Sequence, residues 1–275
     1  MYIKHWGLEH RPFDKQDDPR FYYPSETHQA ALLKLRYAIE NRQGGGLLVG
    51  MSGLGKTRLV GGLFQSLTDV CQPQVHLRFP QLGPESLMAY LAAELSGERH
   101  GHVSLEGSLQ LIEKVLADNV RQGRHALIVI DDAHVLCGTE TMETVRLLWN
   151  YEPAWTVLLA GQLALLPALE RMPEMEERLS VKCLLRRFTA DETAAYVSHR
   201  LRVAGAADAD AVFQPPALQA MHERTDGVPR KINRLADMAL LIGFAEELPN
   251  IDADRIQAIA DELELQVPAT GRRAA

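Results

Sequence analysis

The sequence predicts an α/β protein: a three-layer αβα arrangement around a parallel sheet, followed by a small all-helical domain. Two observations predict it. From Gly46 to Leu185, short and almost wholly apolar runs alternate with helical stretches, the pattern of a parallel sheet covered on both faces. After Arg187 the strand signals stop and helical periodicity continues alone. The composition allows such a fold. The chain has 275 residues, 46% hydrophobic and 24% charged, enough to bury a core without disulfide or metal staples.

The elements follow in order. Trp6, Pro12, Phe13, Pro19, Phe21, Tyr22, Tyr23 and Pro24 crowd the N-terminal segment, which is too apolar for a free tail and is expected to pack on the main body. Ser25 can cap a helix to about Arg42, with Leu32, Leu35 and Ile39 on one face and Gly44, Gly45 and Gly46 ending it. Strands are expected at Gly46–Gly50, Gln74–Phe79, His125–Ile130, Trp155–Ala160 and Val181–Leu185. Helices are expected near Thr57–Leu67, Pro84–Ser96, Ser104–Gln122, Thr139–Tyr151 and Ala164–Leu179. Thr189-Ala190-Asp191-Glu192 is a capping box opening a helix to about Val203. Pro215–Arg224, Pro229–Glu246 and Asp252–Leu265 continue as helices. The domain reading is an α/β domain over residues 1–187 with residues 1–24 packed on it, a helical domain over 188–268, and a flexible tail over 269–275.

Charge and cysteine content narrow the setting. The net charge is −7 and the pI about 5.8, which excludes a wholly basic nucleic-acid or membrane surface. The charge is uneven: from Phe188 onward there are nine basic and fourteen acidic residues, a net of −5. Arg121, Arg124, Arg186, Arg187, Arg200 and Arg202 are fragments of a basic stripe, and any DNA surface is expected on the near-neutral α/β domain, at the helix Ser104–Gln122 and its flanking loop. Cys71, Cys137 and Cys183 lack paired or metal-ligand spacing, so reduced thiols and a cytoplasmic address are expected. The start carries Lys4, Glu9 and two histidines rather than a secretory leader, and the longest apolar stretch falls short of the ~20 residues of a spanning helix. No transmembrane segment is expected. His100 and His102 lie close together without a third ligand nearby, so their loop is read as facing the centre of an oligomer rather than as a metal site.

Gly50-Met51-Ser52-Gly53-Leu54-Gly55-Lys56-Thr57 is a complete P-loop pattern, set between an apolar strand and a helix. Glycines let successive N–H groups turn toward phosphate oxygens, reinforced by the helix N-terminus. Lys56 supplies a cation for the β- and γ-phosphates, and Thr57 a hydroxyl for Mg²⁺. Arg58 extends the set of nucleotide-contacting residues. Some 75 residues on, Ala126-Leu127-Ile128-Val129-Ile130 ends in Asp131 and Asp132. An acid at a strand end beside the phosphate site can hold hydrated Mg²⁺ through water, the role given to Asp131. Asp132 is then placed to orient the attacking water, one methylene shorter than a glutamate. The plain readings of the two acids are a helix cap and a surface ion pair.

With Leu158-Leu159-Ala160-Gly161-Gln162 and the terminal helical domain, this order of motifs resembles the AAA+ ATPases, with Walker A at the P-loop and Walker B at the acidic strand end. More narrowly it is similar to the ExeA/GspA-like family of secretion ATPases and to the related TnsC-type transposition regulators. The residues carrying that narrower likeness are Trp6-Gly7-Leu8, Pro12-Phe13, Asp18-Pro19-Arg20-Phe21-Tyr22, Gly161-Gln162 and the run from Gly227 to Leu235. The resemblance implies ATP as substrate, Mg²⁺ as cofactor and a homo-oligomer, ring or filament. It gives Gln162 the polar sensor position, with a strand-end cap as the alternative. It makes Arg230 the lid arginine that reads the γ-phosphate, with an intra-lid ion pair as the alternative. It makes Arg178 the arginine offered to the neighbouring subunit, with Arg171 in reserve. Phe21 to Tyr23 are then either adenine stackers or a plug of the sheet edge.

The expected function is ATP hydrolysis at subunit interfaces that drives or resets a partner complex. The alternative is a nucleotide-gated adaptor of the TnsC type that binds double-stranded DNA and hydrolyses ATP slowly, which a shortened second acid would suit. A small-molecule P-loop kinase is disfavoured by Gln162 and Arg230.

Overall fold

The computed structural model describes residues 1–14, 18–98, 103–151 and 154–265. The chain forms two compact units: residues 26–186, and a second that joins residues 1–25 to the segment from Arg187 onward.

The first unit runs α1 (Glu26–Glu40), β1 (Gly45–Val49), α2 (Lys56–Ser66), β2 (Gln74–Leu77), α3 (Pro84–Ser96), α4 (Leu105–Arg121), β3 (Ala126–Ile130), α5 (Glu140–Leu148), β4 (Trp155–Gly161), α6 (Leu165–Glu170), α7 (Pro173–Glu176) and β5 (Leu179–Leu184). The five strands form one sheet in the order β2-β3-β4-β1-β5, and every neighbouring pair is parallel. The central strands β1, β3 and β4 are buried at every position, which is why they are continuous apolar runs. The outer strands β2 and β5 carry partly open positions, and their sequences mix in His76, Ser180 and Lys182. Leu47, Ile128, Val157 and Trp155 join Leu87, Leu91 and Val145 in one core cluster between sheet and helices.

The helix expected over Ala164–Leu179 is two short ones. Met172 takes a non-helical backbone before Pro173, whose ring cannot continue the preceding helix, and β5 starts already at Leu179. Arg178 is therefore the residue that enters β5.

The second unit holds α8 (Ala190–Val203), α9 (Ala209–Val212), α10 (Pro215–Thr225), α11 (Pro229–Ala245) and α12 (Ala253–Leu265). The capping box is formed in full: Thr189 Oγ1 accepts from the Glu192 N–H at 3.1 Å and Glu192 Oε2 accepts from the Thr189 N–H at 3.0 Å. Ile232, Leu235, Ala236, Ala239 and Leu240 form the buried face of α11.

The N-terminal segment departs from expectation: it packs in the helical unit, not on the α/β domain. Tyr2, Trp6, Leu8, Phe13 and Phe21 share one core with Tyr196, Leu201, Ile232 and Ile259. The clamp is Arg200, 7% exposed, whose guanidinium donates to the carbonyls of Pro12 and Asp14 and lies 4.9 Å over the Phe21 ring. A guanidinium has five donors and no acceptor, so it suits a chain segment that turns carbonyls and an aromatic face toward it. Sequence alone could not locate this, because a buried arginine and a solvent-facing one have the same spelling.

Candidate nucleotide site

Because the sheet is parallel, the residues following β1, β3 and β4 gather along one edge. They are the P-loop, Asp131-Asp132 and Gln162. The loop is anchored across strands, the Gly50 N–H donating to the Gly161 carbonyl at 3.2 Å. Gly53 and Gly55 have φ of 86° and 89°, left-handed values that glycine adopts without strain. Leu54 is buried, and Lys56 begins α2 with Gly55 at its N-cap. Lys56 is 7% exposed, and its Nζ donates to the carbonyls of Gly50 at 2.8 Å and Met51 at 3.0 Å. Ser52 and Thr57 are exposed while Arg58, in the first turn of α2, is half-buried.

The acidic strand end meets this loop. Thr57 Oγ1 donates to Asp131 Oδ2 at 2.6 Å, and Asp131 Oδ1 accepts from the Asp132 N–H at 2.9 Å. Burial pushes the Asp131 carboxyl up. The nearby His76 imidazole, with the hydrogen bonds from Thr57 and the Asp132 N–H, outweighs it and holds the group below its ordinary value. An ionised carboxylate beside a threonine hydroxyl is a hard oxygen donor pair, which fits Mg²⁺. Two protein ligands suffice, since that ion keeps water and substrate phosphates in most of its positions. Among the described residues no cluster of three His, Cys, Asp or Glu could hold a metal. Residues 99–102, which include the two loop histidines, lie outside the described residues.

Asp132 sits in a left-handed backbone, φ 49° and ψ 31°, which costs about 1 kcal/mol for a residue other than glycine. The turn leaves its carboxylate 58% exposed, with Oδ1 3.8 Å from His134 Nδ1. Gln162, half-buried, follows β4 on the same sheet edge. Arg178 is elsewhere. Leu179 pairs in register with Gly45, the first residue of β1, so Arg178 lies at the opposite sheet edge from the P-loop. Five residues at ~3.3 Å each separate the two edges by about 17 Å, beyond an arginine's reach. Its Nη1 points to the Trp149 carbonyl at 3.5 Å. Arg171 is exposed at the end of α6. Arg230 is exposed in the first turn of α11, in the helical unit.

Two histidines at the site escaped the sequence reading. His76 on β2 places Nε2 3.5 Å from Asp131 Oδ2, while Arg78 Nε donates to its Nδ1 at 3.3 Å. The available signal was a polar residue inside a strand next to the acid-ended one. His28 on α1 is 3% exposed, with Nε2 2.8 Å from the Leu54 carbonyl inside the P-loop. It had no sequence signal, being one polar residue on an amphipathic helix. His28→Ala leaves a buried carbonyl short of a donor. ATP affinity is expected to fall about tenfold, equivalent to ~1.4 kcal/mol, as measured by titration calorimetry.

The other candidates separate. Phe21 is 2% exposed beneath Arg200, so it is a core residue and not an adenine stacker. Of the basic fragments, Arg200 is interior, and Arg121, Arg187 and Arg202 pair with Asp118, Asp226 and Asp210. The three cysteines are free thiols, and burial pushes Cys71 up to about 11. No helix among the described residues is long and apolar enough to cross a membrane.

Residues 39–169 match the AAA domain family. The chain is 32% identical over 252 residues to general secretion pathway protein A of Aeromonas hydrophila, covering 89% of this chain and 45% of that protein. It thus spans less than half the length of that relative. Among solved structures, Aeropyrum pernix ORC2 in its ADPNP–ADP complexes has a TM-score of 0.71 at 16% identity, over 96% of this chain and 74% of the other. Drosophila ORC bound to DNA gives 0.68 at 15%, over 99% and 68%. The Thermotoga maritima RuvB branch migration motor gives 0.58 at 17%, over 87% and 69%. At such identities the likeness concerns the fold. The chain has an AAA+-type α/β P-loop core with a parallel sheet and a helical region after it, and over most of its length it is similar to the GspA-type secretion protein.

Proposed function

We propose that the chain binds ATP at the P-loop and hydrolyses it at interfaces between copies, so that nucleotide state drives or resets a partner complex. The observation carrying this reading is a division of labour. Lys56, Thr57 and Asp131 converge at one sheet edge, and the candidate arginine stands at the other edge, out of reach of its own P-loop, which supports a role toward another copy.

The backbone N–H groups from Gly53 to Thr57 and the α2 N-terminus would cradle the phosphates. Lys56 would exchange its loop carbonyls for β- and γ-phosphate oxygens. Thr57, and Asp131 through water, would hold Mg²⁺, which when bound neutralises charge on those oxygens. Asp132 would accept a proton from the attacking water as its oxygen bonds to the γ-phosphorus and the bond to the bridging oxygen of ADP breaks. Gln162 would steady that water, Arg178 of a neighbouring copy would stabilise the transferring phosphoryl group, and Arg230 is the helical unit's candidate phosphate ligand.

The partner-complex reading draws on the secretion-protein relative. A TnsC-like, DNA-gated reading draws on fold neighbours solved with DNA, but most of its candidate arginines are already engaged within the chain. Measuring ATP turnover per subunit against protein concentration, with and without duplex DNA, tests both. Turnover is expected to rise cooperatively with concentration and to respond little to DNA. Full turnover by a dilute monomer would overturn the shared site. Strong, salt-sensitive stimulation by DNA would select the DNA-gated reading.

A further inference from the structure

The strand β5 is an outer strand of the sheet, next to β1 alone. Its alternate residues Ser180, Lys182 and Leu184, continued by Arg186, are all exposed, Leu184 by 48%. Beside them Glu26, Ala30 and Lys34 recur at helical spacing along α1. Together these elements line an open groove of about 320 Å³, bounded by Thr27, Ala31, Lys34, Lys182, Leu184 and Arg186. A groove between an edge strand and a helix is the geometry into which an extended peptide adds as a further strand, bonding through its backbone and filling alternate side-chain sites.

A lysine on an edge strand can serve simply as a guard against aggregation. An exposed leucine between Lys182 and Arg186 works in the opposite sense, since it offers apolar area to an incoming strand. Charge then selects the partner. Three cations and one carboxylate, Glu26, line the groove in a chain whose net charge is −7. Lys182 pairs with Glu176, and an acidic segment in the groove would compete for it.

We infer that the β5–α1 groove is a docking site for an extended acidic segment of a partner protein, added as a sixth strand with an apolar residue against Leu184. It requires neither nucleotide nor hydrolysis, so it stands or falls apart from the ATPase reading. The test uses the full chain and a fluorescent seven-residue peptide alternating valine with aspartate or glutamate, followed by anisotropy. Saturable binding is expected, weakened at least tenfold by Lys34→Glu with Lys182→Glu and by high salt. Both lysines are exposed, so the variant folds. Methylating alternate backbone amides of the peptide separates strand addition from simple charge attraction. Loss of binding in one of the two methylation registers is expected.

Equal binding of both methylated peptides, or of a basic counterpart, would overturn the proposal. So would a duplex oligonucleotide that displaces the peptide through the same two lysines. Hydrogen exchange supplies the remaining arm. Amides of residues 180–184 are expected to gain protection with the peptide. If they are already protected without it and lose protection on dilution, a second copy occupies the edge and the proposal fails.

Discussion

Arg178→Ala is expected to lower ATP turnover by at least ~10³ while leaving nucleotide affinity within about twofold, because an arginine supplied in trans acts on the transferring phosphoryl group and not on bound ATP. The split follows from position. Arg178 enters β5 at the sheet edge opposite its own P-loop, so its loss leaves Lys56, Thr57 and Asp131 intact. A mixing experiment makes the prediction sharper. Lys56→Ala removes a chain's own phosphate cation but keeps its Arg178. Mixed oligomers of the two inactive variants contain some interfaces with an intact P-loop on one side and an intact arginine on the other. Partial activity is therefore expected on mixing, measured by phosphate release. Mixtures as inactive as their components would remove Arg178 from the trans role, and Arg171→Ala would then be the variant to try. Arg178 is exposed, and circular dichroism of the variant checks that its fold is kept.

The second large effect concerns stability. Gly227→Ala is expected to cost ~3 kcal/mol, and to lower the melting temperature by roughly 6–12 °C. Gly227 has φ of 63°, and a Cβ there would lie 2.1 Å from the Phe188 carbonyl oxygen, a backbone atom that cannot swing aside. Its own carbonyl accepts from the Phe188 N–H at 2.9 Å, so any shift breaks the contact that ties the start of α11 to the entry of the helical unit. Gly97→Ala is the control. Its φ is 71° but nothing lies within 4 Å of the added carbon, so it isolates the left-handed backbone cost of about 1 kcal/mol. Denaturation followed by circular dichroism measures both. A Gly227→Ala protein no less stable than Gly97→Ala would mean that the Phe188 backbone yields.

These two residues illustrate what was legible beforehand. Arg178 is singled out only by the AAA+ resemblance, through its place before the fifth strand, and its separation from its own P-loop comes only with the register. Gly227 was noticed within a motif run, but the oxygen that demands a glycine belongs to a residue 39 positions earlier.

The sequence by itself determined the alternation of strands and helices, the phosphate loop, the acid-ended strand and the capping box at Thr189. Each is written in neighbouring residues through periodicity, glycine freedom or a local hydrogen bond, so a short window carries the signal. Only the tertiary structure decided that the N-terminal aromatics fold with the helical unit, that Arg200 is their interior clamp, and that His28 and His76 support the P-loop and Asp131. These depend on contacts between residues distant in the chain, where burial changes what a side chain does without changing its identity. Charge followed the same division: −7 is read from composition, but which arginines remain open to a partner is set by the carboxylates and carbonyls that folding brings to them.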